Sequence, residues 1–237
     1  MEKYLYLFLN AFTILVPLIR SFEPKIGFYK KWKAFFMANI PIALAFILWD
    51  EYFTQSGIWG FNPQYLSGIY LGSLPLEECL FFITIPYASV FLYEVFNYFI
   101  KLELPSIANK LIALFLAGLN LSVAFSFPEK AYTFTALTVN GILLIAFAFV
   151  FPSYLKGLFR AYLLVLPGFF LVNGVLTGTW IESEIVWYNN LENLGLRIGT
   201  IPVEDLFYGM SLIFLNLLLY QFFIRRQYKN QESNPEV

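Results

Sequence analysis

The sequence predicts an all-α membrane protein with seven transmembrane helices, arranged as two parallel three-helix repeats joined by a connector helix. Three observations predict it. The chain of 237 residues is 59% hydrophobic and only 13% charged, against about 25% charged residues in soluble domains. It holds seven apolar stretches near the ~20 residues that a helix needs to cross a bilayer. Its two ends align with each other when shifted by 127 residues.

The spans are expected at 4–20, 33–50, 76–100, 107–125, 131–151, 158–178 and 203–224. Span 1 reads as a helix rather than a signal peptide, because only Lys3 precedes it and no small-residue cleavage site follows Ile19. Spans 3 and 7 open after Pro75 and Pro202, and proline favours a first helical turn. Of the fifteen Lys and Arg residues, twelve lie with the segments that follow spans 1, 3, 5 and 7, Lys101 and Lys156 among them. Lys3, Lys130 and Arg197 lie on the other side. The positive-inside rule then places the N-terminus outside and the C-terminus in the cytoplasm, as expected for a multi-pass protein of the cell membrane. The outer loops, 51–74 and 179–201, are aromatic and acidic, and loop 57–72 is expected to lie on the membrane as a lid. All five tryptophans, Trp59 and Trp49 included, fit an interfacial belt. Residues 1–104 form the first repeat, 105–127 the connector and 128–226 the second repeat; the polar tail 227–237 is expected to be disordered.

Composition excludes several kinds of chemistry. There is no histidine and one cysteine, Cys79, so His-based triads, internal disulfides and Cys- or His-ligated metal sites are not expected. A net charge of −1 gives no field for nucleic acid. Acid–base work falls to carboxylates, Tyr, Lys or Cys79.

The repeat carries the candidates. GSLPLEECLF at 72–81 falls on GTIPVEDLFY at 199–208. Each half thus presents a proline followed by two acids: Glu77 and Glu78, then Glu204 and Asp205. A cap at a helix start needs one acid, and both halves keep two. Acids near or within a bilayer are costly and tend to mark function. Helical spacing places Glu77, Phe81 and Thr84 on one face, repeated as Glu204, Tyr208 and Ser211. The hydroxyls on that face also suit helix–helix bonding. Asp50 and Glu51 close span 2 without acidic counterparts at Thr177 and Gly178, and either an interfacial or a functional role fits them. Glu94, Asn140 and Asn173 read as structural polar groups. Phe is abundant, with 28 residues, and aromatic faces stabilise cations in dry pockets.

The doubled Pro-x-Glu-Glu/Asp motif, the three-plus-one-plus-three layout and the Trp-Gly-Phe-Asn loop at 59–62 resemble the membrane-integral lycopene cyclases of the heterodimeric type, here fused in one chain. The resemblance runs from about residue 4 to residue 225. It departs at Val186-Trp187-Tyr188-Asn189 and at Asp205. It implies a lycopene β-cyclase, in which one carboxyl protonates an end group and a second, ionised one stabilises the cation or accepts the departing proton. Glu77 and Glu204 are expected as the central pair, with Glu78 and Asp205 secondary, and replacing either central residue by Gln is expected to abolish cyclisation. Phe81, Thr84, Tyr208, Ser211, Trp59, Phe61 and Asn62 are the expected substrate contacts. No metal or cofactor is expected; the chain has no Gly-x-Gly-x-x-Gly segment for a flavin dinucleotide. The expected partners are a lipophilic carotenoid, lycopene, and the lipid bilayer, with no obligate partner subunit. Alternatives are a carotenoid hydratase, which traps the cation with water, and a small-solute transporter with parallel repeats. A retinal photoreceptor lacks its lysine in span 7.

Overall fold

The computed structural model describes residues 2–99, 105–155 and 157–233. Lys101 and Lys156 of the charge count, the last residue of the expected third span (Ile100) and residues 234–237 of the tail lie outside the described residues.

Seven helices are long and apolar enough to cross a membrane. They are α1 (Leu5–Arg20), α2 (Trp32–Gln55), α3 (Leu76–Phe99), α4 (Ser106–Ser126), α5 (Ala131–Phe149), α7 (Leu158–Leu176) and α8 (Val203–Ser233), with a four-residue α6 (Pro152–Leu155) between the fifth and sixth spans. Two boundaries move. α2 continues to Gln55, so Asp50 and Glu51 sit within its last turns; buried Phe53 on that extension packs its ring 4.8 Å from Trp59. α8 continues to Ser233, so residues 227–233 extend a helix where a disordered tail was expected. Gln, Lys and Arg are good helix formers that need no burial. Arg225 adds a cation–π contact to Tyr154, and Gln227 donates to the Lys30 carbonyl.

The outer loops carry short antiparallel pairs. β1 (Trp59–Phe61) pairs with β4 (Val186–Tyr188), β2 (Tyr70–Leu71) with β3 (Leu74–Pro75), and β5 (Arg197–Ile198) with β6 (Ile201–Pro202). Pro75 and Pro202 end strands β3 and β6, and α3 and α8 begin at the next residue, where spans 3 and 7 were expected to open. The β1–β4 register sets Gly60 opposite Trp187. Shifted by 127 residues, Gly60 becomes Trp187, so the pairing is centred on two equivalent positions. The flanking bonds exchange under the same shift: Asn62 N–H donates to the Ile185 carbonyl (2.8 Å) and Asn189 N–H to the Ile58 carbonyl (2.9 Å). A Cβ on Gly60 would lie 2.3 Å from the Trp187 ring, which is why this position is bare. Both outer loops therefore occupy the same end of the bundle.

Packing is less symmetric. α1 lies against α3 and α5 against α8, as equivalents should. α2 packs closely along both α8 and α3, through Ile42, Phe46, Phe82 and Leu212. Its equivalent, α7, touches α3 and α8 more sparsely. The gap left beside α7 is the main cavity of the protein.

At the opposite end, Lys31 forms an ion pair with Glu94, which also accepts from Tyr220 (2.7 Å). Glu94 thus ties α3 to α8 and to the turn that precedes α2.

Candidate active site

α3 presents Glu78, Phe81, Ile85, Ala88 and Leu92 to the cavity, and α8 presents Asp205, Tyr208 and Leu212. Their spacing of three or four residues is that of one helix face. The two stripes correspond under the 127-residue shift at their first three positions. α1 contributes Tyr6 and Thr13, α7 the stretch from Val165 to Leu176, α2 Asp50, and the paired loops a roof of Trp59, Phe61 and Tyr188. The cavity holds about 350 Å³. From Glu78 to Leu92 it follows α3 for about 21 Å at 1.5 Å per residue. The result is a long apolar slot with its polar groups gathered at the loop end.

Those polar groups sit in adjoining hydrogen-bonded clusters. Tyr6 donates its hydroxyl to Glu78 Oε2 at 2.6 Å, and Tyr208 donates to Asp50 Oδ1 at 2.5 Å. Asp50 and Glu78 thus both face the loop end of the slot, each holding a tyrosine hydroxyl. Two carboxyl groups gathered in one buried site disfavour double ionisation. Asp205 accepts three donors: Tyr132 on Oδ1 (2.5 Å), and Tyr188 and Asn173 on Oδ2 (3.0 Å each). Burial, and then the charge of Asp205, hold the Tyr188 hydroxyl well above the ordinary tyrosine range, so it stays a donor.

Aromatic rings enclose these clusters. Trp59 meets Tyr132 edge to face at 5.0 Å, and Tyr188 and Tyr208 at 6.1 and 6.2 Å. Tyr132 and Tyr188 stack at 5.8 Å. Such ring faces favour a cation in a site without water. Trp59 is only 4% exposed, so it is a roof residue and not part of an interfacial belt; Trp180, 78% exposed, is placed as a belt residue would be.

The expected site residues separate into two groups. Glu78, Asp205, Phe81, Tyr208, Trp59 and Phe61 line the slot. Glu77 and Glu204, expected at the centre, are fully buried but are not among its lining residues. Each reaches back ten residues instead. Glu77 Oε1 accepts the Ser67 N–H at 2.7 Å, and Glu204 Oε1 accepts the Leu194 N–H at 2.8 Å and the Thr133 hydroxyl at 2.6 Å. These acids anchor the loops. Thr84 donates to Asn10 on α1 (2.6 Å), and Ser211 accepts from Asn140 on α5 (2.9 Å), so both join helices rather than face the slot. Asn62 starts the short turn at Pro63 by accepting from Gln64 N–H (3.1 Å) and binds Ser183 (3.0 Å).

Tyr6, Tyr132 and Tyr188 were not singled out by the sequence, and Asn173 was read as a packing amide. Asp50, left open there, lies among these polar groups. A carboxylate at the end of an apolar span was the signal for Asp50; the tyrosines gave none, because phenols are common near membrane surfaces. Among the described residues, no group of three or more His, Cys, Asp or Glu side chains is placed to hold a metal ion.

Comparison with known proteins follows the same division. A family model described as lycopene cyclase matches residues 3–96 and again residues 129–223. The bifunctional lycopene cyclase/phytoene synthase of Pyrenophora tritici-repentis (strain Pt-1C-BFP) is 35% identical over 81 residues, which is 34% of this chain. That stretch spans 13% of the fungal protein's length. No solved structure matches. With the family model matching in both halves, over most of its length, the chain belongs to the lycopene cyclase family.

Proposed function

We propose that this member of the family is a lycopene β-cyclase, which closes acyclic lycopene end groups into β-ionone rings by acid-catalysed, non-redox isomerisation. The observation that carries the reading is the convergence of Glu78, Asp205 and Asp50 at one end of a long apolar slot. A proton must be given to an unactivated double bond, which favours an acid kept from water. The ring faces above these acids suit the cation that follows. The slot suits a linear polyene, with the reacting end group at the acids and the chain along α3 and α7.

Phe12, Val16 and Leu171 line the slot and are also exposed on the outer surface of the bundle. Their position supports entry of the substrate from the bilayer. The two matched stretches support the division into repeats 1–104 and 128–226 around the connector 105–127. The charge bias supports an outer N-terminus, with the acids near the outer face. A transporter needs a polar path across the membrane, and the slot walls below the acids are mostly apolar.

Expression of this chain in a bacterium that accumulates lycopene tests the reading. The expected result is pigment of unchanged mass that matches β-ring standards. Pigment heavier by water would identify a hydratase. Unchanged lycopene, with the protein present in the membrane, would overturn the cyclase reading for that substrate.

A further inference from the structure

Resting on the cyclase reading above, we propose that the two repeats build one site with divided labour: the Asp50–Glu78 pair delivers the proton to the end group, and Asp205 receives the proton that leaves the ring. The argument comes from where the repeats differ. Among the equivalent positions around Glu78 and Asp205 that have diverged, four matter here: Asp50 against Thr177, Phe46 against Asn173, Phe61 against Tyr188, and Phe81 against Tyr208. Three of these differences set the surroundings of the two acids directly. Asn173 and Tyr188 give Asp205 N–H and O–H donors that Glu78 lacks. Asp50 adds a second carboxyl to the Glu78 side of the slot, where the equivalent position on the Asp205 side is Thr177. Thr177 turns away to the Asn173 carbonyl (2.8 Å) and the Thr200 hydroxyl (2.7 Å).

These environments select different protonation states. Two carboxyls gathered in one buried site disfavour double ionisation, so one keeps a proton that is available for transfer. A carboxyl oxygen pair that accepts three donors is matched to the ionised form. The fourth difference links the halves, because the Tyr208 hydroxyl on α8 donates to Asp50 on α2.

The packing gives the same asymmetry. The slot runs beside α7. The equivalent space beside α2 is filled by Ile42, Phe46, Phe82 and Leu212. One chamber therefore serves both repeats, and one end group reacts at a time.

The step balances. The O–H bond in the Asp50–Glu78 pair breaks as a C–H bond forms at the terminal double bond of the end group. The electron pair of the next double bond attacks the resulting cation and closes the ring. A C–H bond beside the new cation breaks, its electrons restore a double bond, and the proton passes to Asp205. Exchange with water returns one proton to the pair and removes one from Asp205.

Turnover in deuterated water separates the roles. The wild-type protein is expected to place one deuterium in each ring. Asp50→Asn and Glu78→Gln are each expected to lose about 100-fold or more in rate, with no deuterium in recovered lycopene. Asp205→Asn is expected to keep protonating, so its pigments carry deuterium, but as shifted ring isomers or hydrated products. An Asp50→Asn protein that turns over like wild type overturns the assignment, as does an Asp205→Asn protein that leaves lycopene undeuterated or makes only the wild-type ring. If Asp50→Asn does not accumulate in the membrane, Tyr208→Phe decides: slower turnover with an unchanged ring is expected, and a changed ring overturns the proposal. An inactive wild type would overturn the cyclase reading itself, which an active wild type with an indifferent Asp50 variant would not.

Discussion

Glu77 and Glu78 are neighbours in the chain, and the structure gives them different work. Replacing each by Gln tests this. Glu77 spends one oxygen on the Ser67 N–H at 2.7 Å, and a Gln carbonyl makes the same bond. The amide N–H2 takes the place of Oε2, which is already buried without a partner, so the main loss is the charge on the acceptor, about 1 kcal/mol between a charged and a neutral hydrogen bond. Carried wholly into the barrier, that is a factor of about five. Glu77→Ala instead leaves a backbone N–H without its acceptor, at about 1–3 kcal/mol. Glu204→Ala strips two donors, Leu194 N–H and the Thr133 hydroxyl, and costs about twice as much. Glu78→Gln keeps an acceptor for Tyr6 but has no proton to give, and is expected to lose about 100-fold or more in turnover. Pigment formation at matched amounts of membrane protein, with heat resistance in detergent, gives both quantities. Expected are an active Glu77→Gln, a heat-sensitive Glu77→Ala and an inactive but stable Glu78→Gln. A Glu77→Gln protein as inactive as Glu78→Gln, at normal heat resistance, would refute this division and put Glu77 in the chemistry.

Other outcomes follow from single contacts. Gly168 lines the slot, and a Cβ there meets nothing within 4 Å. Gly168→Ala should therefore keep activity and gain about 0.5–1 kcal/mol in stability, while Gly168→Phe should fill the slot and stop turnover without lowering the amount of protein. Trp59→Leu removes a ring face from the roof of the slot; a desolvated cation–π contact of about 2 kcal/mol translates to about 30-fold in rate, measured from initial pigment formation. Gly60→Ala drives a Cβ into Trp187 and should open the β1–β4 pair, seen as faster proteolysis of the outer loops. Cysteines placed at Gln64 or Leu191, both exposed in the outer loops, should react with an impermeant thiol reagent in intact cells, while one at Gln227 should not; the reverse pattern overturns the orientation.

The helices were legible because bilayer-spanning segments announce themselves by length and hydropathy, and the repeat was legible because the chain carries it twice. The stripe that lines the slot was legible to within one residue. The stripe read from Glu77 through Phe81 runs in the structure from Glu78 through Phe81, Ile85 and Leu92. Steps of three and four both keep to one helix face, so Phe81 fits either start, and only the loop contact of Glu77 decides between them. Thr84 and Ser211 were misassigned for the same reason, since a hydroxyl on a membrane helix serves a neighbouring helix as readily as a ligand. Asn173 and the tyrosines of the roof were not legible. Their meaning depends on Asp205, which lies 32 residues from Asn173 and 73 from Tyr132, and no local period connects them.

The doubled acid also explains how the roof and the chemistry stay aligned. Successive residues on a helix point about 100° apart, so one acid of each pair faces the loop when the other faces the slot. By holding the Ser67 N–H, Glu77 fixes both the loop and the rotation of the first turn of α3, and that rotation aims Glu78 at Asp50. Glu204 does the same for Asp205 through Leu194 N–H and Thr133. The loops are in turn fastened to each other through β1 and β4, which brings Trp59 of one half and Tyr188 of the other over the same acids. A displaced loop in either repeat therefore disturbs the acid of its own helix and the ring above its partner's. On the proposed reading, this is why a catalytic role falls on the second acid of each motif, while the first acid is needed to make that role possible.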